Sequence, residues 1–91
     1  MNLLELMLKE EIEWPVRAEY AAQDQDRLIA FYDKRSRPFI DKTNSAWCSK
    51  VCPLLDKMIK AEDLALDWSS RVITSEEYQA AGGKMLINGG E

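Results

Sequence analysis

Apolar positions recur with two different periods along these 91 residues, and the change of period marks the elements. Leu3, Leu4, Met7, Leu8 and Ile12 fall near one helical face, while Glu5, Lys9, Glu10 and Glu13 lie elsewhere. Asn2 is placed to cap such a helix, with Glu5 three residues on as the reciprocal acid of a capping box. Trp14-Pro15 ends it, because the residue before a proline is driven out of the helical region. The pattern predicts a first helix of about three turns, too short to stand alone in water and therefore packed on the chain's own core.

From Ala18 to Asp33 the period shortens to two, around a polar centre. Taking Asp24-Gln25-Asp26-Arg27 as a four-residue turn sets Ala22 opposite Ile29, Tyr20 opposite Phe31 and Ala18 opposite Asp33. One face then carries Tyr20, Ala22, Ile29 and Phe31, and the other Ala21, Leu28, Ala30 and Tyr32. Asp24 suits the first turn position. No glycine supplies a positive φ, so a type I turn or a slightly longer loop is expected. A two-stranded ribbon is marginal by itself, which calls for a third strand and a covering helix. Residues 45–51 are the candidate third strand, with Trp47 on the side opposite Ala46 and Cys48.

Pro53 opens a second helix well, since its missing N–H is no loss in a first turn. Leu54, Leu55, Met58, Ile59 and Leu64 extend a helical stripe to about Leu66 or Trp68. Val72-Ile73 is too short to assign. Thr74, with Glu77 three residues later, starts a last helix over 75–81 that turns Tyr78 inward and stops at Gly82-Gly83. Residues 84–87 form a short strand or an extended tail. The expected fold is one α+β domain over 1–87. It has a small antiparallel three-stranded sheet (central hairpin about 18–33, third strand about 45–51) packed with two or three short helices. Residues 88–91 are expected to be a flexible C-terminal tail.

Composition changes this picture little: 46% apolar and 31% charged residues are those of an ordinary globular chain. Charge distribution changes it more. Residues 1–26 carry seven acids and two bases, 27–60 three acids and eight bases, and 61–91 six acids and two bases. Such blocks neutralise one another in a fold, or else leave a basic middle face free for an acidic partner.

Candidate chemistry is thin. The chain has no histidine, which removes the commonest general base and metal ligand. Cys48 and Cys52 are spaced CxxxC, which is neither a zinc half-site with its remaining ligands nor the CxxC of a redox pair, and both read as small buried hydrophobes. Asp24 and Asp26 open like a calcium loop, but Leu28 stands where the next oxygen ligand belongs. Gly82-Gly83-Lys84 ends a helix and is no phosphate loop. The expectation is a protein that is not an enzyme and takes no metal or cofactor. The first residues lack the basic start of a signal peptide, and no apolar run is long enough to span a bilayer. That points to a cytoplasmic protein with reduced thiols and no membrane partner.

One likeness narrows the setting. Trp14-Pro15, then Ala18-Glu19-Tyr20-Ala21-Ala22-Gln23-Asp24 with Asp26, Phe31-Tyr32, Pro38 and Trp47, resembles a motif of small phage and prophage proteins of enteric bacteria, WPxxAxYAAQDxDGxxxFY. A stretch like Asp67-Trp68, Val72-Ile73-Thr74 and Tyr78 often follows in such proteins. The departure is Arg27, where the family pattern has glycine in the turn. The resemblance implies a phage or prophage accessory protein in a bacterial host cell and assigns no role to individual residues.

The expected function is therefore non-catalytic: binding, and modulating or inhibiting, a host protein such as a component of a defence or nucleic-acid-processing system. Exposed aromatics and arginines are the types enriched in binding hot spots, so Tyr32, Lys34, Arg35, Arg37 and Phe39 are the expected contacts. Two alternatives stay open. One is nucleic-acid binding through the basic 34–50 segment, or DNA mimicry by the acidic ends. The other is a self-associating module that forms a homodimer.

Overall fold

The computed structural model describes residues 1–35, 37–43, 45–54 and 57–86. At its centre is the expected hairpin, in a register shifted by one. Strand β1, Tyr20–Gln23, pairs antiparallel with β2, Leu28–Tyr32, and sets Tyr20 opposite Tyr32, Ala21 opposite Phe31, Ala22 opposite Ala30 and Gln23 opposite Ile29. The cause lies in the turn. The Arg27 N–H donates to the Asp24 carbonyl at 2.9 Å and the Asp24 N–H to the Leu28 carbonyl at 2.8 Å, which leaves a three-residue loop. Arg27 holds φ at 75°, the left-handed position that ends such loops and that glycine occupies most easily. Because strand side chains alternate, the shift by one regroups both faces.

The first face now carries Ala21, Ile29 and Phe31, and it is the main core. Leu3, Leu6 and Met7 of helix α1, Leu3–Lys9, pack on it with Ile12, Trp14, Ile73 and Tyr78. Trp14 meets Phe31 edge-on, with ring centroids 5.2 Å apart and planes at 82°. Both buried polar tips are matched: the Trp14 indole N–H donates to the Ala18 carbonyl at 2.8 Å, and the Tyr78 hydroxyl to the Ile12 carbonyl at 2.5 Å. The second face carries Tyr20, Ala22, Ala30 and Tyr32, packed with Trp47 and Met58.

The sheet has four strands, not three. The two-residue strands β5, Ile59–Lys60, and β6, Ile73–Thr74, flank the hairpin in the order β5-β2-β1-β6. The expected third strand shortens to β4, Ala46–Cys48, and pairs with β3, Phe39–Asp41, as a separate two-stranded ribbon. Pairing with the segment just before it closes only a small loop, at low entropic cost.

The helix expected from Pro53 is not formed among the described residues; Leu55 and Asp56 lie outside them. Its backbone finds partners elsewhere. The Leu54 N–H donates to the Phe31 carbonyl at 2.8 Å, Ile59 pairs with Ile29, and the Ala61 N–H donates to the Arg27 carbonyl at 3.0 Å. Fully buried Gln23 then holds the following loop. It accepts the Ala65 N–H and donates to the Asp63 carbonyl, both at 2.8 Å. The apolar spacing that suggested a helix is divided: Leu54 and Ile59 pack against the main core and Met58 against the second face, while Leu64 and Leu66 are exposed, Leu66 at 86%.

Both terminal elements follow their caps. Asn2 and Glu5 form the expected capping box, but α1 stops early, at a Glu10 cap followed by Glu11 with φ of 52°. Helix α2, Ser75–Ala80, is capped by Thr74 and closed by Gly82, whose φ is 88°, with the Gly83 N–H returning to the Tyr78 carbonyl. Met85 makes a parallel bridge to Trp14. Ile87 and the expected tail at 88–91 lie outside the described residues.

Candidate functional site

The five expected contact residues do not gather into one site. Tyr32 is 2% exposed and belongs to the second core face, which Trp47 and Met58 cover, so it is unavailable as a contact. Burial, with the nearby Asp24 charge, pushes its phenol up to about 12. The other four are exposed and divide between two neighbouring places.

The first is a depression of about 540 Å³ where β2 leaves the sheet, lined by Arg17, Ala18, Glu19, Asp33, Lys34 and Arg35. Arg35 is paired here: its guanidinium lies 2.7 Å from Asp33, whose Oδ1 also accepts the Arg35 N–H at 2.9 Å. Those bonds, together with the Arg17 charge, hold the Asp33 carboxyl below its usual range. Arg17 is a residue the sequence did not nominate. It sits in the acidic first block, yet the hairpin ladder brings it beside residues 33–35.

The second place is the β3–β4 ribbon. Phe39 stands at its start with 53% exposure, between Arg37 and, past Asp41, the exposed Lys42. Arg37 lies over the Tyr20 ring, 5.6 Å from its centroid, and its charge helps lower the Glu77 carboxyl after the stronger effect of the Arg71 hydrogen bond. The ribbon is tied to the hairpin by the Trp47 N–H, which donates to Asp24 Oδ1 at 2.9 Å, and to the 61–70 loop by the Trp47 indole, which donates to the Trp68 carbonyl at 2.9 Å.

Between ribbon and sheet runs a groove of about 350 Å³, lined in part by Tyr32, Trp47, Cys48, Cys52 and Met58. The cysteines are therefore not the buried hydrophobes expected: Cys48 is half-buried, Cys52 is exposed, and both are free thiols. The calcium-like pair is absorbed by structure, since Asp24 holds Trp47 and Asp26 Oδ1 accepts the Leu28 N–H at 3.1 Å. Among the described residues no three His, Cys, Asp or Glu side chains cluster as metal ligands would, and no helix is long and apolar enough to cross a membrane.

The arrangement sets Arg17, Lys34 and Arg35 beside the carboxylates of Glu19 and Asp33 around a depression, and an exposed phenylalanine between Arg37 and Lys42 along the ribbon. Compared with protein-family models, curated proteins and solved structures, the chain matches none.

Proposed function

We propose that this is a non-catalytic binding protein of phage type, which engages and modulates a host protein in the bacterial cytoplasm through Arg17, Lys34, Arg35, Arg37, Phe39 and Lys42. The observation that carries the reading is Phe39. A phenylalanine 53% exposed, on a ribbon that the Asp24 and Trp68 contacts hold in place, is an ordered apolar anchor with basic residues on either side of its strand. Arg37 and Lys42 flank it along the chain, and Arg17, Lys34 and Arg35 line the depression where β2 ends, so the complementary partner is acidic. Self-association through this face is disfavoured, because it sets like charges against one another.

The test is affinity capture from host lysate on the immobilised protein, with and without nuclease. Recovery of one stoichiometric protein that survives nuclease supports the reading. Recovery of nucleic acid alone, falling steeply with salt, replaces it with nucleic-acid binding, for which Phe39 and the cations would serve as a stacking and phosphate surface.

A further inference from the structure

The loop over residues 61–67 is fastened to the core, yet it shows leucine side chains to solvent. Gln23 holds it from inside, accepting the Ala65 N–H and donating to the Asp63 carbonyl, both at 2.8 Å. At its end the Leu66 N–H donates to the Met1 carbonyl at 3.0 Å, and the Leu3 N–H donates to Asp67 Oδ1 at 2.8 Å. Ala65 is buried, and the leucines on either side of it turn away from the core. Leu64, Leu66 and the adjoining Met1 are all exposed, Leu66 most of all. One exposed leucine is ordinary. Met1 with Leu64 and Leu66, from two chain segments on a pinned backbone, is an ordered apolar contact surface.

Charge chooses the occupant. The bond to Leu3 fixes the Asp67 carboxylate beside Leu66, and Glu5 Oε1 accepts the Asn2 N–H at 3.0 Å, next to Met1. Asp63 adds an exposed carboxylate beside Leu64. Arg27 reaches this loop only at its other end, where its guanidinium donates to the Glu62 carbonyl. We infer that this surface docks a basic amphipathic helix of a protein other than the one proposed for the Phe39 side. The helix covers Met1, Leu64 and Leu66 with its apolar stripe, and its lysines or arginines meet Glu5, Asp63 and Asp67. A second copy set like face to like face brings the same carboxylates together, and an anionic membrane surface is repelled by them.

The experiment titrates the full chain with two fluorescein-labelled peptides of about fourteen residues, one of Leu and Lys and one of Leu and Glu, each patterned as an amphipathic helix. The Leu/Lys peptide is expected to bind at least about tenfold tighter than the Leu/Glu peptide, and more weakly as salt rises. Leu66→Ala changes an exposed side chain, so it should keep the thermal melt and lose at least about tenfold in affinity. Glu5→Gln with Asp67→Asn keeps both acceptor oxygens and removes both charges, so it should lose about tenfold and flatten the salt dependence. Amide shifts on adding the Leu/Lys peptide should concentrate in residues 1–5 and 62–68. Equal affinities for the two peptides, no binding of the Leu/Lys peptide, unchanged affinity in either variant, or shifts centred elsewhere would each overturn the inference. So would dimerisation of the free chain, or flotation with neutral lipid vesicles, that Leu66→Ala abolishes, since a second copy or a membrane then covers the surface. Phe39→Ala should bind the Leu/Lys peptide as tightly as wild type, and a loss there would also overturn it. Failure of these peptide tests leaves capture of a host protein through the Phe39 side standing.

Discussion

The Asp24 carboxylate accepts the Trp47 N–H at 2.9 Å and so fastens the ribbon to the tip of the hairpin. Burial raises its pKa and the neighbouring Asp26 charge adds to this, while the Trp47 bond acts in the opposite sense. An acid whose pKa is raised by folding holds its proton in the folded chain when the unfolded chain has already lost it. Stability therefore falls as pH rises from the ordinary aspartate value, about 3.9, through the folded pKa. Asp24→Asn keeps the acceptor oxygen and removes the charge. It should be at least as stable as wild type near pH 7 and lack that decline, whereas Asp24→Ala strands the Trp47 N–H and should cost about 1–3 kcal/mol. Urea titrations across the acid range check both.

Gln23 does the work that a helix was expected to do. Its amide satisfies Ala65 and Asp63 from inside the core, and Gln23→Leu fills the space but leaves those backbone groups unpaired. A loss of about 2–4 kcal/mol is expected, with faster amide exchange concentrated in 61–66. Uniform destabilisation without local exchange would show that the loop does not hang on Gln23.

Arg27 occupies a left-handed position at φ of 75° while its side chain donates to the Glu62 carbonyl at 3.0 Å. Arg27→Gly relieves the backbone at the loss of one exposed bond, so it should fall within about 1 kcal/mol of wild type. Arg27→Val adds a β-branched side chain there and should cost about 1–2 kcal/mol more than the glycine variant. Thermal melts of the pair separate backbone strain from the lost contact.

How much of this was readable in advance depended on whether the signal was local. Asn2 with Glu5, and Thr74 with Glu77, place caps whose partners sit three residues away, and both formed. The hairpin was legible from its alternation, but its register hung on Arg27, and an arginine in a glycine-type turn position gives no local cue. Residues 54–66 misled because the apolar spacing of Leu54, Met58 and Ile59 fits a helix, while the competing partners, Phe31, Ile29 and Gln23, are remote in sequence. Of the candidate surface, the basic loop and Phe39 were legible as exposed types between turn residues. Tyr32 was lost because Trp47 and Met58, both distant in sequence, cover its face, and Arg17 was reachable only through the ladder that brings it to Asp33.

The most direct test of the central claim measures the affinity of the captured partner for three variants by calorimetry. Arg17→Glu with Arg35→Glu reverses charge at the depression, Phe39→Ala removes the anchor, and Leu66→Ala truncates the exposed leucine of the 61–70 loop as a control. Losses of at least about tenfold are expected for the first two and none for the third. Unchanged affinity in the charge-reversed and Phe39 variants, or a loss confined to Leu66→Ala, would contradict binding through the basic surface.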